Sequence, residues 1–533
     1  MAEKAKKEKE SKFKLLLNGF KLSPGELALA AGGGGLLGLS APGNPFWILA
    51  WVGLIPLLLQ IAGGKGRRKT FLLGLIFGTC YNLTALNWYL GLYPLDWLGF
   101  NWWQGWLLAG SALTIVSFHQ GLLIGLLSLI LYMVPLTGGF LPRKVSGKWH
   151  LPALIFIPIF WVLFMNKIGN APGALGVPWS MLEYSQYRQT QLIQCASIIG
   201  GIGIGALIVL VNTALAGLYA TIKGKSKFKA LAAKNKGAAI KDLLISLVLM
   251  ASIVALGLFE SAKVETETKA DTDLYMLQGN INIDMQKTSR RYSLTDLFEH
   301  YDELLKGVKD GVLVWTESSV PIFLNEHKHV IEELRNLARD RELDMVVGSM
   351  HRKIKTRPYN SAYGIGGNGT MVTNVYHKRY LVPFGEYAPA IIDLFPPVVR
   401  KLTNTPAGSG FAAGTVPHVL DLPRGKIAPL ICFECISPEL VVSSTRAGGE
   451  LLVNVSDLAW FHESSIGEQM IAFSIFRAIE NRRYLAFAAN TGPSAVIDPR
   501  GKVTARSKMS KALVLKGRVK FLKDRTIFSR WFQ

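Results

Sequence analysis

Long apolar segments separated by short polar connections fill the first half of the chain, up to about residue 262. A helix crosses the hydrocarbon core of a bilayer, about 30 Å thick, when roughly 20 consecutive residues are mostly apolar. Several segments reach that length, so the pattern predicts a polytopic α-helical membrane domain of about seven spans. We place the spans at residues 25–42, 45–63, 70–90, 107–135, 151–168, 191–221 and 242–260.

The pattern changes after a charged linker at residues 260–272. Short apolar runs then alternate with stretches of helical periodicity, as they do in an α/β domain. The periodic stretches predict helices at residues 294–308 and 330–341. The apolar runs predict strands at residues 274–278, 312–315, 345–348, 427–431, 451–455 and 485–489.

Positive charge is gathered in alternate connections of the membrane domain. The chain has 59 Lys and Arg residues against 37 Asp and Glu residues, and its mean hydropathy is positive. Cytoplasmic loops retain Lys and Arg, so the alternation predicts a cytoplasmic amino terminus and, after seven crossings, an extracytoplasmic α/β domain. This placement also argues against nucleic acid as the reason for the net charge of +22. The basic connections are Lys65–Lys69, Arg143–Lys148 and Lys223–Lys241.

These patterns divide the chain into four parts. They are a basic cytoplasmic tail at residues 1–22, a transmembrane domain at 23–262, the α/β domain at 270–512 and a basic tail at 513–533. The last part has no apolar run long enough to span a bilayer. We therefore expect it to stay outside and to lie on the membrane through Phe528, Trp531 and Phe532.

The four cysteines are at positions 80, 195, 432 and 435, and two of them lie in apolar spans. No disulfide framework is expected from this placement. Cys432 and Cys435 have a CxxC spacing, but no second pair of cysteines or histidines lies nearby to complete a zinc site. We therefore expect no metal and no cofactor.

Cys432 follows the predicted strand at residues 427–431, where a thiol can meet substrate while the strand fixes its backbone. A lone cysteine is more often a buried apolar side chain. A thiol also needs a base or a cation, because its ordinary pKa is near 8.5. Glu317 is a candidate base, and Lys378 and the backbone N–H of Phe433 are candidate donors to an oxyanion. Taken singly, Glu317 also fits a helix cap and Lys378 a solvated cation.

The motifs around these residues resemble a known superfamily. Glu317 follows a strand, Lys378 lies in YHKRYLVPFGEY at Tyr376–Tyr387, and Cys432 lies in ICFE. In this order they resemble the carbon-nitrogen hydrolase (nitrilase) superfamily, which has a Glu-Lys-Cys triad on an αββα sandwich. With the membrane half, the resemblance narrows to the bacterial apolipoprotein N-acyltransferases. The other matching segments are Gly176–Trp179, Tyr184–Gln186, Gln278–Asn280, Tyr359–Ser361, Asn454–Phe461, Arg477–Arg482 and Asn490–Gly492.

The resemblance implies acyl transfer in two steps at the bacterial cytoplasmic membrane. Cys432 would take an acyl chain from a phospholipid as a thioester, with Glu317 as the base and Lys378 at the oxyanion. The α-amine of a diacylglyceryl-modified amino-terminal cysteine on a lipoprotein would then accept the chain. The protein is expected to act as a monomer, with the membrane and these two substrates as its partners.

Five further residues are expected to support the site. Glu386 is expected on a mobile loop over it, Glu434 beside Lys378 to orient the ammonium, and Asn360 among the substrate-binding groups. Trp460 and Phe461 are expected to shield the thioester from water. Ordinary core or surface positions are the alternative for the two aromatic residues.

Two departures from the family pattern stand out. Relatives often have Tyr where this chain has Phe433, and they usually close with an eighth span that residues 503–533 do not provide. Two alternative functions remain open at this stage. One is a membrane-anchored amidase or nitrilase that uses the same triad, and the other is a lipid-binding membrane scaffold without catalysis.

Overall fold

The structure of the protein is a computed structural model. It describes residues 21–64, 66–145, 147–168, 179–224, 228, 230–267, 269–282, 293–353, 356–383, 385–387 and 410–532. Some of the sequence predictions therefore lie outside the described residues. They include residues 1–20 of the basic tail, Lys65 and Ser146 of the first two basic connections, residues 176–178 of the motif before the sixth span, residues 225–227 and 229 of the last basic connection, and Phe384 of the lysine motif.

The first half of the chain is helical. It contains α1 (Pro24–Gly38), α2 (Ile55–Ala62), α3 (Arg67–Ala85), α4 (Trp102–Met133), α5 (Ala153–Val162), α6 (Ala196–Lys223) and α7 (Lys236–Glu267). A small sheet of β1 (Leu136–Thr137), β2 (Arg143–Val145) and β3 (Lys148–Pro152) joins α4 to α5. Short 3₁₀ helices at Leu182–Gln186 and Leu192–Cys195 lead into α6.

In the described part of the chain, three helices are long and apolar enough to cross a membrane: Trp102–Met133, Leu192–Lys223 and Lys236–Ala262. An apolar helical region is thus confirmed, whereas the count of seven spans is not. The other predicted spans are helical but shorter. The eight residues of α2 make a helix about 12 Å long, less than half the thickness of the bilayer core.

Glycines let the first helices pack closely. A Cβ at Gly34 of α1 would lie 2.1 Å from the carbonyl oxygen of Phe77 in α3, and one at Gly78 of α3 would lie 2.9 Å from the Cα of Gly121 in α4. Small residues at such crossings allow apolar helices to gain close van der Waals contact. The apolar segments therefore pack on one another as well as facing outward.

The second half contains two sheets. The first has the order β16-β4-β5-β7-β8-β9, with β6 paired to β7, and the second has the order β10 to β15 in sequence. The first sheet consists of β4 (Thr272–Gln278), β5 (Gly311–Trp315), β6 (Val320–Phe323), β7 (Leu343–His351), β8 (Tyr359–Ile365), β9 (Tyr376–His377) and β16 (Leu513–Val519). The second consists of β10 (Leu420–Leu422), β11 (Gly425–Ile431), β12 (Leu451–Ser456), β13 (Leu485–Ala489), β14 (Ala495–Ile497) and β15 (Val503–Arg506).

Side chains alternate between the two faces of each sheet. One face packs on a helical layer and the opposite face packs on the other sheet. In β5, Val312 and Val314 join the core shared with the second sheet, whereas Leu313 and Trp315 join the core under α8 (Leu294–Leu304) and α9 (Lys328–Asp340). On the other side, α10 (Pro438–Arg446) and α11 (Ile466–Asn481) pack on the second sheet. This is the αββα arrangement, and it follows from the two-residue period of strands.

All six predicted strands are present, but the sheet extends further than predicted. Strand β16 pairs antiparallel with β4, from Leu513 opposite Gln278 to Val519 opposite Thr272. The predicted domain boundary at residue 512 is therefore wrong. Lys516 and Arg518 are exposed and alternate with less exposed neighbours, which gave this edge strand the composition of a basic tail.

The carboxyl-terminal segment also differs from the expectation that it lies on the bilayer. Phe528, on the short helix α12 (Ile527–Trp531), is only 4% exposed and packs against Gly200 of the membrane helix α6. Arg446 of α10 donates hydrogen bonds to the carbonyl oxygens of Ser529, Arg530 and Phe532. Of the three aromatic residues, Trp531 alone keeps most of its surface exposed.

Candidate active site

The predicted triad lies where strands of the two sheets end. Glu317 follows β5, Lys378 follows β9, and Cys432 follows β11 and begins a 3₁₀ helix that ends at Ile436. Cys432 has a φ of 54°, a left-handed conformation that costs a residue other than glycine on the order of 1–3 kcal/mol. The Asn454 amide of β12 holds this conformation by donating to the Cys432 carbonyl at 3.0 Å.

Lys378 is the centre of a buried ionic cluster. Its Nζ lies 3.1 Å from Glu317 Oε1 and 2.9 Å from the Glu386 carboxylate, and its side chain is 1% exposed. The Asn360 amide of β8 joins the two acids, donating to Glu317 at 2.8 Å and to Glu386 at 2.9 Å. Glu386 is therefore a direct member of this cluster, and Asn360 positions both carboxylates.

The charges in the cluster set the protonation of Lys378 and Cys432. Burial alone would lower the pKa of Lys378, but Glu317 and Glu386 outweigh it and raise that pKa well above its usual value. Burial, reinforced by the negative charge of Glu317, raises the pKa of Cys432 well above its usual value, and Lys378 opposes the rise. The resting site thus holds an ammonium ion and a neutral thiol, and the thiol needs a base before it can attack.

Glu317 has the position of that base. Its Oε2 accepts a hydrogen bond from the Asp457 backbone N–H at 2.9 Å, so donors hold both of its oxygens. Asp457 is fixed in turn, because its Oδ1 accepts from Ala459 N and from the Asn490 amide, both at 3.1 Å. Sequence reasoning gave Asp457 and Asn490 no role in the site. The available signals were their place directly after the buried strands β12 and β13 and their membership of the matching segments Asn454–Phe461 and Asn490–Gly492.

The Glu434 side chain binds backbone N–H groups of the segment that contains Lys378. Its carboxylate accepts from the Tyr376 hydroxyl and the Ile431 N–H, both at 2.7 Å, and from the N–H groups of Arg379 and Tyr380. In the described residues it makes no hydrogen bond to the Lys378 ammonium. Glu434 thus ties the chain after Lys378 to the end of β11, and the expectation that it orients Lys378 stays a prediction.

Aromatic rings from both halves of the chain cover the nucleophile's turn. The Phe433 ring meets Trp179 edge-on at 4.5 Å between centroids, and Trp88 lies 4.8 Å from Trp179 and 5.2 Å from Phe461. Trp460 packs apart from this group, edge-on to Trp97 at 5.1 Å. Cys432 is accordingly only 6% exposed. The Phe433 N–H lies in the first turn of the 3₁₀ helix, where backbone N–H groups have no acceptor within the helix.

The second cysteine of the CxxC pair lies close to the site. All four cysteines are free, and burial raises the pKa of Cys435 to about 12. Among the described residues, no group of three His, Cys, Asp or Glu side chains is placed to hold a metal ion.

The two-sheet fold and the Glu-Lys-Cys cluster define the second half as a catalytic domain of the carbon-nitrogen hydrolase class. Residues 276–520 match the family model described as carbon-nitrogen hydrolase, and residues 33–214 match that of the apolipoprotein N-acyltransferase N-terminal domain. An apolipoprotein N-acyltransferase of Geobacter metallireducens is 33% identical over 513 residues, which cover 93% of this chain and 90% of the relative. The chain belongs to the apolipoprotein N-acyltransferase family.

Other relatives agree in name. An apolipoprotein N-acyltransferase of Gloeobacter violaceus is 28% identical over 506 residues, which cover 94% of this chain and 89% of the relative. A crystal structure of a carbon-nitrogen hydrolase from Helicobacter pylori covers 47% of this chain and 89% of its own, with 16% identity and a TM-score of 0.36. The resemblance found in the sequence motifs is thus confirmed at the level of the family.

Proposed function

We propose that this N-acyltransferase moves an acyl chain from a membrane phospholipid, through a thioester on Cys432, to the amino-terminal amine of a diacylglyceryl-cysteine lipoprotein. The observation that carries the proposal is the buried contact of Lys378 with Glu317 beside the strained Cys432. It gives a thiol one base and one cation, which are the groups that nucleophilic acyl transfer requires. Family membership supplies the two substrates.

In the first step Cys432 Sγ attacks the carbonyl carbon of the phospholipid ester while Glu317 accepts the thiol proton. The carbonyl oxygen becomes an oxyanion, and the Lys378 ammonium and the Phe433 N–H donate to it. When the intermediate collapses, the ester C–O bond breaks and Glu317 returns the proton to the departing glycerol oxygen. A lysophospholipid leaves, and the acyl chain remains on sulfur as a thioester.

In the second step the lipoprotein amine is the nucleophile. Its nitrogen attacks the thioester carbonyl, Glu317 accepts a proton from the amine, and the same two donors hold the oxyanion. The C–S bond then breaks, the proton passes to Sγ, and an amide leaves the site. Asn360 and Asp457 hold Glu317 during both steps.

The membrane half allows acyl chains to reach this site. Moving a chain of about 14 methylene groups from the bilayer into water costs on the order of 10 kcal/mol, at about 0.8 kcal/mol each. The contacts of Trp88 and Trp179 with Phe433 and Phe461 bring aromatic residues of the membrane half directly to the nucleophile's turn. An acyl chain can therefore stay in an apolar environment, and the rings exclude water from the thioester.

The fate of the thioester separates transfer from hydrolysis. With phospholipid alone, intact-mass analysis of the enzyme is expected to show the mass of one added acyl group that persists. A diacylglyceryl-cysteine peptide with a free amine should discharge it within minutes, and the same peptide with an acetylated amine should not. Rapid loss of the acyl group to water without any acceptor would favour the amidase or nitrilase alternative.

We also propose that the protein is a monomer that crosses the bacterial cytoplasmic membrane seven times, with the catalytic domain outside. The alternation of basic connections supports this topology. In a Cys432→Ala background, a membrane-impermeant maleimide should label Lys502→Cys on intact spheroplasts. It should label Lys144→Cys only after permeabilisation, and both positions are exposed. The reverse order of labelling contradicts the proposed side.

A further inference from the structure

A second buried charge cluster lies at the contact between the two halves of the chain. Glu183 and Tyr184 come from the 3₁₀ helix Leu182–Gln186, and Arg477 and Glu480 come from α11. The four side chains are at most 4% exposed. None of them belongs to the reaction proposed above, yet charged groups are seldom fully buried without a function or a full set of partners.

The cluster contacts the end of the nucleophile's turn. The Ile436 carbonyl closes the 3₁₀ helix that Cys432 begins, and it accepts from Arg477 Nη1 and from the Tyr184 hydroxyl, both at 3.4 Å. Arg477 Nη2 donates to the Tyr184 hydroxyl at 3.2 Å, and Arg477 Nε lies 3.1 Å from Glu480 Oε2. One guanidinium thus links a catalytic-domain acid, a tyrosine of the membrane half and the nucleophile's turn.

Glu183 lies against a part of α6 that has room for it only because a glycine is there. A Cβ at Gly205 would come within 2.7 Å of Glu183 Oε2. The charged and titratable groups that face Glu183 are Arg477 and Glu480 from α11, Tyr184 from its own turn and Tyr81 from α3. The cluster therefore has one certain cation for two carboxyl groups.

Two ionised carboxylates and one guanidinium would leave an uncompensated anion among buried groups, which is very costly. Ionisation is favoured at Glu480 over Glu183, because Glu480 pairs with Arg477 and accepts a hydrogen bond from the Gly201 N–H at 2.8 Å. Among the residues that the structure describes, Glu183 has no such ion pair. Burial raises the pKa of Glu183 to about 8; a backbone hydrogen bond at Glu183 itself and the charge of Arg477 oppose the rise, and Glu480 adds to it.

We propose that Glu183 is a positioning residue that is protonated in the resting enzyme, so that Arg477 stays bound to Glu480 and to the Ile436 carbonyl. The membrane half thereby holds the nucleophile's turn in its reactive place. Loss of the Glu183 proton adds a second anion beside Arg477, draws the guanidinium from Ile436 and loosens the turn. The predicted effect on rate rests on the proposed function, whereas the protonation of Glu183 does not.

Protonation is tested directly by infrared spectroscopy of the full chain in lipid nanodiscs. The difference spectrum between wild type and Glu183→Gln at pH 7 should show the C=O stretch of one protonated carboxyl group. That band should disappear as the pH rises through about 8. A difference spectrum with no carboxylic acid band at pH 7 overturns the proposal, whether or not any acyl transfer is seen.

The effect on the reaction is tested by single-turnover thioester formation from phospholipid between pH 7 and pH 9. Wild type should slow about tenfold over this range, because a group with a pKa near 8 passes from about nine-tenths to about one-tenth protonated. Glu183→Gln should form the thioester at pH 9 as fast as it does at pH 7. The matched control is Glu468→Gln, another acid at the contact between the halves, which binds Tyr187 and Arg188 and should keep the wild-type profile.

An unchanged alkaline decline in Glu183→Gln overturns the proposal. If that variant does not fold, Tyr184→Phe provides the second test, because it removes the hydroxyl that binds Ile436 and Arg477. It should lower kcat for thioester formation several-fold at an unchanged KM, and an unaltered kcat contradicts a positioning role. If wild type forms no thioester at any pH, the proposed function fails, while the infrared band still decides the state of Glu183.

Discussion

Replacing Cys432 with alanine is expected to lower the release of lysophospholipid at least about 10⁴-fold, because no other group in the site can form the acyl-enzyme. Glu317 and Lys378 remain in contact in this variant, since their ion pair does not involve the thiol. The protein should therefore fold and still bind phospholipid. Lysophospholipid is measured by mass spectrometry of the extracted lipids, and the acyl adduct by the intact mass of the protein.

The matched control for this change is Cys435→Ala, three positions further along the same turn. Cys435 is fully buried and its pKa is raised to about 12, so it is a neutral thiol at any working pH. The control should keep acyl transfer within about threefold of wild type and lose at most about 2 kcal/mol of stability from the smaller side chain. Acyl transfer that continues in Cys432→Ala would restore the hypothesis of a lipid-binding scaffold without catalysis.

Continuously apolar strands were predictable from the sequence, whereas the edge strand β16 and the buried strand β8, which contains polar residues, were not. The runs at β5 and β13 are continuously apolar because one face meets the other sheet and the opposite face meets helices. Strand β16 is half exposed, so its alternation of apolar residues with Lys516 and Arg518 looked like a basic tail. Its partner β4 lies more than 200 residues earlier in the chain, and no local pattern carries such a pairing.

Apolar length alone did not reveal the helix boundaries within the membrane half. Residues 45–63 are apolar throughout most of their length, yet they form a 3₁₀ helix followed by the short helix α2. Asn212 of α6 accepts from the Leu54 N–H at the start of α2 and donates to the Ala50 carbonyl. A break of this kind depends on a tertiary partner, so hydropathy cannot reveal it.

The reactive groups of the candidate site and several of its supporting residues were predictable from the sequence, but the contacts among them were not. Glu317, Lys378 and Cys432 each follow a strand, and their order along the chain can be recognised in the sequence. The bridge that Asn360 makes between Glu317 and Glu386 depends on three separate segments meeting. The same holds for the cluster at Glu183, whose neighbour Tyr184 lies 293 residues from Arg477.

Replacing Lys378 with methionine is expected to damage both stability and catalysis. The change leaves the Glu317 and Glu386 carboxylates buried without their cation, and removing one partner of a buried ion pair costs about 3–5 kcal/mol. The oxyanion also loses a donor, which costs about 10²–10³ in rate. Thermal unfolding in nanodiscs measures the first effect, and single-turnover thioester formation measures the second.

A second substitution distinguishes lost charge from lost packing in Lys378→Met. Without the ammonium, the two facing carboxylates lie buried as like charges that no cation compensates. Adding Glu317→Gln removes one of the two anions and should restore most of the stability without restoring activity. A loss of stability that persists in the double variant would show instead that Lys378 serves the fold mainly through the packing of its methylene chain.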